Sequence, residues 1–387
     1  MSHLEHIGIA VQNPNAVARL YEELLDVLPY KTETVADQGV RTHFISAESA
    51  KLELLEALND DSPIAGFLNK RGEGLHHLAF EVDDVDSAFD RLKAAGFTPL
   101  GDHPSSGADG KRIFFLHPKQ THGVLVELCQ SVPLTLDPIE IPFEDGSVAA
   151  YERGRPGAPT VLLLHGAAGA TSLETAPLLR RLEPHYHVLA VDFSGHGASA
   201  LPEGASFSAD LFAENARATL DHFGVEQADV FGFSMGGSMA LHLAHRHPDR
   251  VRRVAVHGGN IQWPAERVEA MTQRLSAEHI ATNAPRLAQQ LASAHTDWRG
   301  LFDRMSAFIE TLPDAEAQMH EEAAALSHPT LVSAADADDL FPMDAALHLR
   351  DVLPAGRLAI LPGEHHALHR LNLDLLVPLL RAHFDSA

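Results

Sequence analysis

The first 130 residues repeat themselves, and the repeat fixes where two histidines and two glutamates must fall. His6-Ile-Gly-Ile-Ala-Val11 reads as a strand, and Asn15 to Leu25 follows with helical spacing. His77-Leu-Ala-Phe-Glu-Val82 is again a strand, and Val85 to Ala95 again a helix, ending at Gly96. Each copy closes on further strand-like runs, the last holding a carboxylate between apolar neighbours: Leu52-Glu53-Leu54 and Val126-Glu127-Leu128. The interval from His6 to Glu53 is 47 residues, and that from His77 to Glu127 is 50. This predicts a duplicated strand–helix–strands unit with one His and one Glu equivalently placed in each copy.

Strand alternation gives the repeat chemical sense. With period two, His6, Gly8 and Ala10 share one face while Ile7, Ile9 and Val11 share the other. The apolar face can pack on the helix. The histidine face, with small neighbours only, leaves an open cup, and His77 with Ala79 repeats the arrangement. Two such sheets curled together bring His6, Glu53, His77 and Glu127 around one point, a site for a divalent ion with two positions left for water or substrate. A single strand histidine is ordinarily structural, and His43, His103, His117 and His122 are read that way. His76 is read so too, because it points away from His77. The paired spacing sets the quartet apart.

Residues 4–130 resemble the vicinal oxygen chelate (glyoxalase-type) superfamily, and within it the methylmalonyl-CoA epimerases. The resemblance rests on the His6 and Gly74-Leu-His-His-Leu-Ala-Phe80 strands and on Glu53-Leu-Leu-Glu56. Asp61-Ser-Pro-Ile-Ala-Gly-Phe-Leu68, Phe115-Leu-His-Pro-Lys119 and Gly123-Val-Leu-Val-Glu-Leu128 extend it across the domain. It implies an α+β fold of paired βαβββ modules with His6, Glu53, His77 and Glu127 as ligands of a divalent metal. Cobalt, zinc, nickel, manganese and magnesium all remain open. The second ligand is glutamine in some epimerases, so glutamate is a tolerated variant. The implied reaction removes the proton at C2 of a methylmalonyl thioester, with a metal stabilising the enolate and a base on each face of C2. Glu127 and Glu53 are the nearest carboxylates. Some epimerases carry an additional carboxylate after a Gly-Val step, but Gly39-Val40 is followed here by Arg41, Thr42 and His43. The identity of the two bases therefore stays open. Related dioxygenases use two histidines and one carboxylate on iron, leaving three positions open. A fourth ligand at Glu53 favours proton transfer. A degenerate acyl-CoA-binding or tethering module would be expected to have lost ligands.

Composition separates this region from the rest. All six lysines lie in the first 119 residues, and the remainder uses only arginine as strong base. The joint is expected in Ser131–Pro138, where two prolines interrupt helix and sheet, which gives domains 1–133 and 134–387. Lys and Arg number 29 against 53 Asp and Glu, a net charge of -24 that a phosphate backbone would repel, so no nucleic-acid partner is expected. One cysteine, Cys129, excludes an intrachain disulfide and fits a reducing compartment. With no signal-like start and no run of about 18 apolar residues, a cytoplasmic protein without a membrane partner is expected.

After the joint, strands alternate with helices, which implies a mostly parallel sheet covered on both faces. Val161–Leu164, Val188–Asp192, Asp229–Phe233, Val251–Val256, Thr330–Ser333 and Leu358–Leu361 read as strands, and Ser238 through His245 as a helix. Gly232-Phe-Ser234-Met-Gly236 stands between strand and helix as a nucleophile elbow requires. Asp338 follows one later strand, and His366, in Pro362-Gly-Glu-His-His366, follows the next. His165-Gly-Ala-Ala-Gly169 precedes the Gly-rich loop Ser194-Gly-His-Gly197, whose His196 is read as shaping that loop.

Residues 139–387 resemble the α/β-hydrolase fold family. The resemblance implies Ser234 as nucleophile, His366 as general base and Asp338 as its orienter, with Ala167 and Met235 N–H groups as oxyanion hole. Asp336, Asp339 and His365 are the local competitors. Residues 261–327 read as amphipathic helices where this fold inserts a helical lid. The whole chain is expected to be a bifunctional fusion: a metal-dependent methylmalonyl-CoA epimerase-like isomerase and a serine hydrolase of the esterase or thioesterase type. Small-molecule acyl-CoA and ester substrates are the expected partners, and a homodimer is left open.

Overall fold

The computed structural model describes residues 3–25, 27, 29–47, 50–131 and 136–386. The chain divides into two compact units, one through residue 134 and one from residue 135. The joint expected at Pro133 lies outside the described residues.

The first unit runs β1 (His3–Ala10), α1 (Pro14–Leu25), β2 (Pro29–Val35), β3 (Val40–Ala47), β4 (Ala50–Ala57) and α2 (Pro63–Arg71). It continues through β5 (Gly74–Glu81), α3 (Val85–Ala94), β6 (Pro99–Ser106), β7 (Lys111–Leu116) and β8 (Val126–Ser131). One eight-stranded sheet results, in the order β2-β3-β4-β1-β5-β8-β7-β6. The two βαβββ copies are thus mirrored in strand order about an antiparallel β1–β5 seam, and each seam strand has a parallel neighbour carrying the glutamate. Helix α1 begins one residue before the expected Asn15, since Pro14 is tolerated in a first helical turn and Asn13 Oδ1 accepts the Ala16 N–H at 3.1 Å. Ile7 and Ile9 join Ile45, Leu52 and Leu54 in an apolar cluster that Val17, Ala18 and Tyr21 of α1 cover. Val85, Ala88 and Phe89 of α3 cover Phe114, Leu116 and Leu128 in the second copy. The opposite face forms the cup.

The second unit opens with an antiparallel hairpin, β9 (Ile139–Phe143) and β10 (Gly146–Arg153), that the strand–helix pattern did not announce. Then come β11 (Thr160–Leu164), α4 (Ala176–Leu182), β12 (His187–Val191), α5 (Ala209–His222), β13 (Ala228–Phe233), α6 (Met235–Arg246) and β14 (Val251–His257). Helices α7 (Ala265–Arg274), α8 (Ala277–Asn283), α9 (Pro285–Ala294) and α10 (Trp298–Ala325) occupy the expected lid segment. The chain finishes with β15 (Thr330–Ala335), α11 (Met343–Val352), β16 (Gly356–Leu361) and α12 (Leu373–Phe384). The sheet order is β16-β15-β14-β13-β11-β12-β10-β9, parallel from β16 through β12. Every residue of β11, β12 and β13 is buried, as a parallel sheet covered on both faces demands. Helix α6 starts directly after Ser234, earlier than Ser238, because Gly236 and Gly237 serve close packing. A Cβ on Gly236 would lie 2.4 Å from the Leu164 carbonyl, and one on Gly237 would lie 2.6 Å from Val256.

One glycine decides the geometry of the first unit. Gly8 pairs with Glu53 on one side and His77 on the other, and the His77 ring lies across it. A Cβ there would stand 2.2 Å from the His77 Cε1 atom. Gly8→Ala is therefore expected to push the ring out of the cup, destabilise the unit by about 1–3 kcal/mol, and weaken divalent-cation binding at least tenfold. Chemical denaturation and cobalt titration of the purified variant check both effects; unchanged cobalt affinity would mean that the ring's seat does not matter.

Candidate active sites

In the cup of the first unit, three donor atoms converge. His6 Nε2 and His77 Nε2 are 2.9 Å apart, and Glu127 Oε2 lies 3.4 Å from the second and 3.8 Å from the first. Two imidazoles and a carboxylate, all buried, suit a borderline divalent cation. Glu53 stands elsewhere. Its Oε1 lies 3.4 Å from Nδ1 of His6, so it backs the imidazole instead of meeting the other three. All four residues line one cavity of about 370 Å³, walled by Val40, Leu55 and Phe115 among others.

The pairing of β1 with β5 slips twice, at Glu5 and at His76. Such bulges leave one residue unpaired and re-aim its side chain. In both places the re-aimed residue precedes a cup histidine and contacts its Nδ1: Glu5 Oε2 at 2.5 Å from His6, His76 Nδ1 at 2.9 Å from His77. His76 thus departs from the expected structural, outward position and lines the cavity. With Nδ1 engaged, each histidine offers Nε2 to the cup, because a partner on one ring nitrogen fixes which nitrogen is left to ligate. A dense ion network holds Glu5. Lys51 Nζ lies 2.7 Å from Glu5 Oε1 and 2.5 Å from Asp109 Oδ2, and Lys111 Nζ lies 3.2 Å from Glu5 Oε1 and 2.5 Å from Glu81 Oε2. Lys31 adds contacts to Asp109 and Glu33 at 2.8 and 2.7 Å. Burial would raise the Glu5 carboxyl, but the His6 hydrogen bond with Lys51 and Lys111 holds it well below the usual range. Burial pushes Glu127 up to about 8 and raises Glu53. Against its own burial, His6 is pushed up to about 9, first by Glu53 and then by Glu5 and Glu127. Burial drives His77 well down and His76 to about 4.

In the second unit, Ser234 sits at the C-terminal end of β13 with φ 53° and ψ -119°, a left-handed conformation strained for a residue with a side chain. The turn is this tight because a Cβ on Gly232 would lie 2.1 Å from the Gly236 carbonyl. Ser234 Oγ is 3.0 Å from His366 Nε2, and His366 Nδ1 is 2.7 Å from Asp338 Oδ2. Asp338 Oδ1 accepts the N–H groups of Leu340 and Phe341 at 2.8 and 2.9 Å. Burial opposes the charge of Asp338, yet the His366 hydrogen bond keeps its carboxyl below the ordinary value. This pattern fixes the imidazole with Nδ1–H donating to Asp338 and Nε2 accepting from the serine hydroxyl. The competitors lie elsewhere. Asp336 accepts the Gly363 N–H, Asp339 pairs with Arg274, and His365 bonds the Ala337 carbonyl. His196 stacks on Phe207 within its loop.

Ala167 and Met235 line the same cavity as Ser234. It measures about 240 Å³ and is walled largely by apolar side chains such as Met239, Trp263, Met305, Phe308 and Leu312. Glu174, which sequence reading passed over, accepts the Gly166 N–H at 2.7 Å, and burial pushes it up to about 7. It therefore anchors the start of the loop that holds Ala167. No sequence pattern marks Glu174 or the two bulged residues, because each is brought to its site by the fold alone.

The alpha/beta hydrolase fold family matches residues 159–370, and the Glyoxalase/Bleomycin resistance protein/Dioxygenase superfamily matches residues 5–115. Over 132 residues the chain is 44% identical to an ethylmalonyl-CoA/methylmalonyl-CoA epimerase of Cereibacter sphaeroides, a match covering 34% of this chain and 98% of the relative. Over 223 residues it is 28% identical to a 2-hydroxymuconate semialdehyde hydrolase of a Pseudomonas species, covering 52% of this chain and 77% of that one. The solved 2-hydroxy-6-oxo-6-phenylhexa-2,4-dienoate hydrolase of a Rhodococcus species superposes with a TM-score of 0.54 at 23% identity, over 65% of this chain and all (100%) of the other, a likeness of fold. No helix among the described residues is long and apolar enough to cross a membrane.

The shifted groups of the cup set a pH test. Near pH 7 the metal-free site keeps protons on His6 and Glu127, whose values lie at about 9 and about 8. Both must leave before these atoms can ligate. Cobalt binding is therefore expected to release protons at pH 7 and to tighten as pH rises from 6 to 9. Calorimetric titration in two buffers of different ionisation enthalpy measures the release; a pH-independent affinity without released protons would contradict it.

Proposed function

Because the chain belongs to the α/β-hydrolase fold family and carries a domain of the glyoxalase/methylmalonyl-CoA epimerase family ahead of it, we propose a bifunctional fusion enzyme. Its boundary is placed between residues 133 and 134. The first domain epimerises a 2-methylmalonyl-CoA-type thioester, and the second hydrolyses an ester or thioester through Ser234.

In the first domain, His6, His77 and Glu127 would hold a divalent metal, and Glu53, the fourth expected ligand, would join them by turning away from His6 Nδ1. When bound, the ion supplies Lewis-acid polarisation of the thioester carbonyl. Glu127 and Glu53 are the carboxylates available to carry the C2 proton away and return it. Glu5 and His76 keep the Nε2 atoms directed into the cup, which Leu55 and Phe115 help to line. The convergence of two imidazole nitrogens and one carboxylate oxygen in a buried cavity carries this reading, together with 44% identity to an epimerase over 98% of its length. The same three donors, with Glu53 turned toward His6 Nδ1, also favour a second reading, a two-histidine-one-carboxylate iron oxygenase. Dioxygen uptake by iron-loaded protein with an enolisable thioester separates the two.

In the second domain, Ser234 Oγ attacks the acyl carbonyl while His366 Nε2 takes its proton and Asp338 steadies the imidazolium. The N–H groups of Ala167 and Met235 receive the developing oxyanion. His366 then protonates the leaving alcohol or thiol, and a water deprotonated by His366 releases the acid and frees Ser234. The relay of hydrogen bonds at 3.0 and 2.7 Å, set on a strained turn, is the observation that carries this reading.

Two measurements test the pair. Proton NMR of methylmalonyl-CoA in deuterated water with cobalt-loaded protein is expected to show exchange at C2 that chelator abolishes. Glu127→Ala should lower metal content and exchange together. Full metal content with no exchange on any acyl-CoA would reject the epimerase. Ser234→Ala is expected to remove hydrolysis of short acyl esters while the fold and metal content persist. Asp338→Asn should lower kcat by up to about 10⁴-fold, the loss seen when a protease imidazole takes the wrong tautomer. Hydrolysis by Ser234→Ala near the parent rate would remove Ser234 from the mechanism.

A further inference from the structure

His295 lies in the connection between α9 and α10, inside the helical lid, and is buried at 4% exposure. Its two ring nitrogens meet two loops of the core. Nδ1 accepts the Gly197 N–H at 2.8 Å, and Nε2 lies 3.1 Å from the Ala168 carbonyl. An N–H donor on one side and a carbonyl acceptor on the other leave one consistent form: a neutral imidazole with its proton on Nε2, donating to Ala168. Burial, with His165 nearby, holds His295 at about 4, which agrees with a neutral ring.

The partner on the oxyanion side is itself strained. Ala168 has φ 53°, a left-handed conformation unusual for a residue with a Cβ. The loop is tied at its two ends by the Gly166 N–H to Glu174 and by the Thr171 N–H to Asp192 Oδ1 at 2.7 Å. Between these ties, a Gly169 N–H to Gly166 carbonyl bond at 3.1 Å closes the turn, and His295 bonds the Ala168 carbonyl from the lid. Ala167, which lines the Ser234 cavity, is the residue before the one that carries that carbonyl. Without His295, a buried carbonyl would lose its donor and a strained residue would lose a restraint. Both changes favour rotation of the turn that aims the Ala167 N–H.

We propose that His295 is a positioning residue for the oxyanion loop, so that the seating of the lid sets the aim of the Ala167 N–H. The inference rests on the reading of Ser234 as nucleophile and Ala167 as oxyanion donor. Lid and hole then act as one device. An acyl group that lets the lid seat is met by a formed hole, and an unseated lid leaves the nucleophile with a misaimed one. A shift of this kind acts on the transition state more than on substrate binding, so it belongs in kcat.

The test uses the full chain with p-nitrophenyl butyrate as substrate and phenylboronic acid as a probe of the tetrahedral state. His295→Leu is expected to lower kcat by about 10- to 100-fold, less than deletion of an oxyanion donor, with KM within about threefold. Boronate affinity should fall in the same proportion. His295→Gln, whose amide can accept from Gly197 and donate to Ala168, is expected to recover kcat to within about fivefold of the parent. His295→Asn, too short to reach both loops, replaces the leucine variant if that one does not fold. Parent kcat in the leucine or asparagine variant, a loss confined to KM, or a glutamine variant no better than leucine would overturn the proposal. Fluorophosphonate labelling of Ser234 keeps the two readings apart. Ser234-dependent turnover that ignores His295 removes only this inference, whereas turnover independent of Ser234 removes the nucleophile and this inference with it.

Discussion

The first unit depends on how closely two antiparallel strands approach at its seam. Gly8 faces His77 and His6 faces Ala79, so each imidazole lies over a residue with little or no side chain. That crossing alone would bring the rings together without fixing which nitrogens meet. The two bulges fix it. Glu5 and His76, each lifted out of pairing, take hold of Nδ1 on the following histidine. Small residues give the space, and the bulges give the orientation. The duplicated sheet then delivers Glu127 to the same point.

The second unit uses strain and close packing in place of symmetry. Ser234 is held in a left-handed turn because glycines at 232, 236 and 237 let α6 press against β11, β13 and β14. The neighbouring loops are bound by buried polar side chains: His165 Nε2 accepts the Phe193 N–H at 3.0 Å, and Asp192 accepts from Tyr151, Thr171 and Ala198. Buried backbone groups need such partners, and a loop without a sheet to pair with takes them from side chains.

Much of this was legible in the sequence. The duplicated His–Glu spacing foretold two equivalent strand–helix–strands units, although they join in one continuous sheet where two curled together were expected. The apolar runs foretold the six parallel strands, most plainly β11, β12 and β13, because burial on both faces leaves a continuous hydrophobic signature. The family resemblance, not the local sequence, favoured Asp338 over Asp336 and Asp339 and His366 over His365, and the hydrogen bonds to Ser234 run through Asp338 and His366. The illegible parts share a cause. A bulge shifts a side chain by one residue without any change in composition, so His76 looked like an outward residue and nothing marked Glu5. Glu174 acts across a loop, and His295 reaches both loops from a distant lid, so no local pattern marks either. The β9–β10 hairpin escaped although Asp145-Gly146 stands at it: the two turn positions are Glu144 and Asp145, one residue ahead of the pair that usually announces a tight hairpin, and Glu144 takes the positive φ of 51° itself.

The charges under His6 also have a bearing on the solutions in which the protein can work. Lys51, Lys111, Glu5 and Asp109 all have side chains at or below 17% exposure, so mobile ions barely reach the space between them. Exposed pairs such as Arg112–Asp86 stand in the ion atmosphere and lose strength as salt rises and the Debye length, about 8 Å at physiological ionic strength, shortens. The buried pairs are weakened far less. The electrostatic setting of the cup is thereby insulated from the salt around it, and a chain with a net charge of -24 carries, at its first site, a field of its own making.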